Sequence, residues 1–280
     1  MRRYRQQPKF RLETLFNRYT YKYWIIGAAA ILLAVAGALI WKSAKKLRPA
    51  ETAMYGQEEI TVGIANSCFS SPGEDGLPAG FDRDAAEEII HAVYPDAKLN
   101  FVVIPAEEAS YQLKIGEIDL AMGTLTYNVL KTQGLSLSDG YFRDGVHAYV
   151  AQGSPVSIGS LDGARLLVMT SELQRSDIRS ALSDREITAA EFLNCSSYPD
   201  AIAAVNAKTS NAVIAPRYKM QEFEHDLAMV EEPLCSISYR IAAWKSNSDA
   251  IQLFNAAIAS KRADGTIDAL AQKYGLEQYQ

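Results

Sequence analysis

The chain has 280 residues, 48% of them apolar and 22% charged, a globular mixture with room for one large domain or two small ones. Three cysteines are too few for a disulfide framework or a four-cysteine zinc site. The net charge of −5 conceals a split: residues 1–48 hold eleven Lys/Arg and one acid, Glu13, which leaves 49–280 with 17 basic and 32 acidic side chains and a net of −15. So acidic a surface repels phosphate backbones, which argues against nucleic acid as a partner.

The basic head surrounds 19 uncharged residues, 23–41, reading YWIIGAAAILLAVAGALIW. As a helix they span roughly 28 Å, about the hydrocarbon thickness of a bilayer. Tyr23, Trp24 and Trp41 stand at the ends, where amphipathic rings suit the headgroup level. The heavier basic flank precedes the run, which predicts a cytoplasmic segment 1–22, a membrane span over 23–41, a polar linker over 42–57 and an extracytoplasmic domain over 57–280. Ala34, Ala36 and Ala38 leave a cleaved signal peptide open as the alternative; the long leader and the continuation through Leu39, Ile40 and Trp41 favour an uncleaved anchor.

From residue 60 onward strand and helix patterns alternate. Strands are predicted over 60–65, 99–104, 118–122, 165–169, 192–195, 212–215 and 237–244, from short β-branched or apolar runs bounded by turn residues. Asp82 caps a helix whose apolar stripe is Phe81, Ala85, Ile89 and Val93. Pro105 opens a helix that Gly116 closes, and short helical turns are predicted over 128–132 and after Pro216. Further helices are expected over 172–183, 199–207, 249–262 and 266–274, with 66–79 as a loop. The alternation predicts an α/β fold with largely parallel strands.

Six stretches in order carry a resemblance to a known family. They are Gly80-Phe81-Asp82-Arg83-Asp84, residues 113–126 (LKIGEIDLAMGTLT), residues 138–145 (SDGYFRDG), Ser160-Leu161-Asp162-Gly163, the 198–215 stretch, and Asp264-Gly265-Thr266 followed by Lys273-Tyr274-Gly275. Together they resemble the polar amino-acid-binding, family 3 extracellular solute-binding proteins of bacterial ABC importers, with the type II periplasmic-binding fold. The resemblance implies two α/β lobes, one formed by about 57–147 and 243–280 and the other by 151–240. Crossing strands are expected near 146–152 and 239–244, with a small polar ligand held between the lobes.

Carried over residue by residue, the resemblance places Asn66, Cys68, Phe69, Gly123, Thr124, Thr126 and Lys131 on the ligand side of lobe one, and Thr170, Ser171, Glu172 and Pro216 on that of lobe two. Lys131 stands where the family has an arginine for the ligand carboxylate; it keeps the charge, loses the bidentate fork, and either faces the ligand or solvent. Pro216 falls at the family's ammonium-binding acid, and a proline cannot balance a buried ammonium. Glu172 either points into the cleft or serves as an N-terminal helix acid. Phe69 either stacks on a ligand or packs. Cys195 and Cys235 both fall in lobe two, where the compartment permits a disulfide between them. The three histidines are scattered and no metal or cofactor motif is present, so none is expected. The reading is a membrane-tethered solute-binding protein working with an ABC permease and not an enzyme. The alternatives are an accessory subunit with a degenerate site, docking on a membrane complex, and a cyclohexadienyl dehydratase-like enzyme.

Overall fold

The computed structural model describes residues 26, 59–67, 69–125, 134–170, 172–223 and 225–279. The expected linker over 42–57 and the turn at 128–132 lie outside them, as does the membrane span apart from Ile26. Among the described residues no helix is long and apolar enough to cross a membrane.

Eleven strands are described: β1 (Glu59–Ala65), β2 (Ser70–Pro72), β3 (Pro78–Gly80), β4 (Lys98–Ile104), β5 (Leu120–Met122), β6 (Leu135–Ala151), β7 (Arg165–Val168), β8 (Glu191–Asn194), β9 (Ala212–Pro216), β10 (Leu227–Met229) and β11 (Cys235–Trp244). Six α-helices accompany them: α1 (Phe81–Val93), α2 (Ala109–Ile115), α3 (Arg175–Ser183), α4 (Tyr198–Asn206), α5 (Ser248–Ala263) and α6 (Thr266–Lys273). The main sheet runs β4-β1-β5-β11-β6-β9-β7-β8, with β10 on the far end of β6. Parallel pairing of β1 with β4 and β5 makes the first lobe, and parallel pairing of β7 with β8 and β9 makes the second.

The first strand is buried along Val62–Ala65 because both faces are covered, as its unbroken apolar run requires. On one face Ile60, Val62 and Ile64 meet Phe81, Ala85 and Ile89 of α1; on the other Ala65 meets Ala109 and Leu113 of α2. The same alternation sorts β7, with Leu166 and Val168 on one side and Leu167 on the other. The C-terminal helices are tied to α1 by Lys261–Glu88 at 2.6 Å and Lys273–Asp84 at 2.7 Å.

Two strands pass between the lobes, a few residues earlier in the chain than expected. Residues 146–150 pair with β9 inside the second lobe, and Ala242 and Ala243 already pair with β5 in the first. The crossing therefore occupies 138–145 of β6 against 236–241 of β11, antiparallel, with two register shifts between Tyr239 and Ala242. Ser138 Oγ accepts from Ile241 N–H at 2.9 Å and the Arg240 guanidinium donates to the Ser138 carbonyl at 2.7 Å, which satisfies backbone groups where the ladder is irregular.

Cys195 and Cys235 are free thiols, so the expected disulfide is absent. Cys195 belongs to the apolar cluster on one face of the second sheet and Cys235 packs against the cluster on the other. Burial pushes the Cys235 thiol up to about 11, which suppresses the reactive thiolate.

Candidate functional site

The C-terminal end of β1 opens one wall of a cleft of about 610 Å³, lined by Asn66, Ser67, Tyr218, Lys219, Gln221 and Glu222. Asn66 and Ser67 follow the end of the first-lobe strand, and Tyr218–Phe223 form a short 3₁₀ helix after β9 of the second lobe. The cleft is thus set outside the carboxyl ends of strands from both sheets, where open α/β folds bind ligands.

Behind the first-lobe wall sits a buried carboxylate. Asp82 in the first turn of α1 accepts the Tyr141 hydroxyl at 2.6 Å and the Ser67 hydroxyl at 3.3 Å. Tyr141 in turn accepts the Gly123 N–H at 3.2 Å. Burial pushes the Asp82 carboxyl up to about 6, against these hydrogen bonds and the Lys219 charge, which pull it down. Two glycines make the wall possible. Gly80 has φ 129°, and a Cβ there would stand 2.3 Å from the Phe69 carbonyl. Gly123 has φ 94°, and its Cβ would stand 2.8 Å from the Ala65 carbonyl. Thr124 follows with φ 35°, an uncommon backbone for a β-branched residue, and is buried.

Lys219 joins the two walls. Its ammonium donates to Thr124 Oγ1 of lobe one at 3.5 Å and stands 3.8 Å from Glu172 Oε1 of lobe two. The other Glu172 oxygen accepts the Tyr198 hydroxyl at 2.7 Å. Glu172 lies ahead of α3, which begins at Arg175, so it is not a first-turn acid of that helix; its partners are Tyr198 and Lys219. Thr170 donates through both N–H and Oγ1 to Asn194 Oδ1, at 3.3 and 2.7 Å.

Several expected site residues take other roles. Phe69 is 4% exposed and packs edge-on against Phe81, Phe142, Tyr218 and Tyr239, with ring centroids 5.1–5.9 Å away. It is a core ring beneath the cleft and not a platform for a ligand. Pro216 is the buried last residue of β9, paired with Val146. Arg217 turns away to Glu277 at 2.8 Å, and Tyr218 and Met220 are buried. Among the described residues, Lys219, three residues after Pro216 in a 3₁₀ turn, is the cation that reaches the cleft, and no sequence motif announced it. Its signal was the alternation in Arg217-Tyr218-Lys219-Met220, which leaves the two cations out and the two apolar bodies in. Cys68, Thr126, Lys131 and Ser171 lie outside the described residues.

Two α/β lobes joined by a pair of crossing strands, with a polar cleft between them, define a binding protein of the type II periplasmic-binding fold. The chain belongs to the bacterial extracellular solute-binding proteins, family 3, whose model matches residues 60–277. It is 26% identical over 211 residues to the amino-acid-binding protein AabA of Dichelobacter nodosus, covering 72% of this chain and 81% of that one. It is 25% identical over 216 residues to the histidine-binding periplasmic protein of Salmonella typhimurium, covering 74% and 82%. A probable amino-acid ABC transporter extracellular-binding protein from Bacillus subtilis shares the fold, with a TM-score of 0.61 at 15% identity over 78% of this chain and 97% of that one.

Proposed function

We propose that this protein is the solute-capturing component of an ABC importer, tethered to the membrane by residues 23–41 with its binding domain outside the cytoplasm, and that its cleft takes a small polar solute bearing a carboxylate. The observation that carries this reading is Lys219. Its two partners at 3.5 and 3.8 Å are both longer than the 2.7–2.9 Å of a strong charge-assisted hydrogen bond. These contacts leave the cation under-used, and a ligand carboxylate that displaces them gains a better bond than it breaks. Two relatives are named for amino-acid and histidine binding. Pro216 leaves no acid of its own for a ligand ammonium, so anionic or neutral polar solutes are preferred over ordinary α-amino acids. Lys131, assigned to lobe one, is the second cation proposed for the cleft.

The same contacts support a second reading. Lys219 ties lobe one to lobe two through Thr124 and Glu172, which suits an accessory subunit that keeps the fold and docks on a membrane complex. A thermal-shift and calorimetric panel of organic acids, amino acids and amines separates the two. Saturable binding that Lys219→Met weakens supports solute capture; a panel with no binder supports the accessory role. Tight binding of a standard α-amino acid, unaffected by Lys219→Met, overturns the ligand class.

A further inference from the structure

A second concavity of about 460 Å³ lies away from the cleft and shares none of its lining residues. Three separate parts of the chain build it: Arg143 on the crossing segment of β6, Arg262 in the last turn of α5, and Gln272 on α6 with the tail residues Gln278 and Tyr279. The tail is held in place, since Tyr279 N–H donates to the Arg143 carbonyl at 2.9 Å and Tyr218 binds Glu277 through both backbone groups. The two carboxylates on the wall are engaged by other groups: Asp268 accepts from Gln278 at 2.8 Å, and Glu277 pairs with Arg217 at 2.8 Å. Among the described residues neither Arg143 nor Arg262 has a hydrogen bond or ion pair from its guanidinium. Two cations thus face one hollow. Burial and then the Arg143 charge lower the Arg262 pKa, against the attraction of Asp268 and Asp139. Like charges brought together in this way repel unless an anion lies between them.

We propose that this pocket is a second ligand site, which takes a small doubly charged oxyanion between Arg143 and Arg262, with the Gln272 and Gln278 amides and the Tyr279 phenol supplying further donors. Guanidinium forks match tetrahedral oxyanions in geometry as well as charge. An anion seated there ties the C-terminal helices of lobe one to the crossing strand, so the site is placed to stiffen the hinge without touching the cleft.

The test is calorimetry of inorganic phosphate on the full chain, with chloride at matched ionic strength as the blank. One saturable site is expected, with a dissociation constant on the order of 1 mM or tighter. Arg262→Gln and Arg143→Gln should each weaken it at least tenfold, Arg262→Lys should fall between, and Lys219→Met should leave it unchanged. Melting curves of each variant without phosphate separate lost binding from lost folding. Glycerol 3-phosphate binding more tightly than phosphate points to a lipid headgroup as the natural occupant and the reverse order to a free anion; both keep the site. No saturable heat, or equal binding by the Arg143→Gln/Arg262→Gln double variant, overturns it.

Discussion

The Tyr141 hydroxyl donates to the Asp82 carboxylate at 2.6 Å while accepting the N–H of Gly123, so one phenol joins the first turn of α1 to the strained wall of the cleft. Removing it with Tyr141→Phe leaves a buried carboxylate and a buried amide without this partner. The expected loss is about 1–3 kcal/mol of stability, measured by urea unfolding. An unchanged midpoint would show that water replaces the phenol at no cost.

Asp82 itself makes stability depend on pH. Its folded pKa, about 6, lies above the ordinary value of 3.8, so between those values the native state holds more of the proton than the unfolded chain does. Stability from this group therefore falls as pH rises from about 4 to about 6 and is flat above. Asp144, buried at the crossing and accepting Tyr218 N–H and the Tyr239 hydroxyl, is raised to about 7 by burial and extends the same decline toward neutrality. Melting temperatures taken across pH 4–8 should show a flatter profile in Asp82→Asn up to pH 6 and in Asp144→Asn up to pH 7. A steeper profile in either variant contradicts the sign.

Gly123→Ala puts a methyl where φ is 94° and the Ala65 carbonyl is 2.8 Å away. The backbone must shift, at a cost of about 1–3 kcal/mol. Because Thr124 follows directly, the change should lower ligand affinity as well as stability, whereas Gly159→Ala, in open space, should affect neither. Equal melting temperatures for the two variants would be inconsistent with a rigid wall.

Lys219→Met keeps most of the stem and removes the charge. For a carboxylate ligand the expected loss is about 1.5–3 kcal/mol, or roughly ten- to 150-fold in affinity. The free protein should lose little, since Lys219 is partly exposed and its contact with Glu172 is long. Affinity that survives the substitution would shift the role to Lys131, to be checked by Lys131→Met.

Most of the fold was legible because each buried strand is a short apolar run and each helix carries one apolar stripe, as with 60–65 and Phe81-Ala85-Ile89. The long β6 was not, because Ser138-Asp139-Gly140 and Arg143-Asp144-Gly145 break its apolar pattern with charged residues and glycine. Some of their polar groups are held by tertiary partners, Asn255 for the Asp139 N–H and Tyr239 for one oxygen of the Asp144 carboxylate, which no local pattern reveals. The site was legible in outline only. Thr124 and Glu172 meet at Lys219, but Phe69 is drawn into the core by four rings contributed from distant segments, and Lys219 owes its place to a turn whose direction depends on the buried bodies of Tyr218 and Met220.

The seventeen residues of β6 pair with strands of both lobes, β11 and β9 among them, so the lobes are expected to melt as one unit. Loss of either lobe's strands strips β6 of a partner for its remaining length, so neither half keeps a complete ladder alone. Calorimetry of 49–280 unfolding should give a single transition with equal van't Hoff and calorimetric enthalpies. In deuterium exchange the amides of Phe142 and Val146, buried at the junction, should be among the last to be replaced. The stretch that links the two lobes is thus also the stretch expected to open last to solvent, so any bending there should twist an intact ribbon and not unravel it.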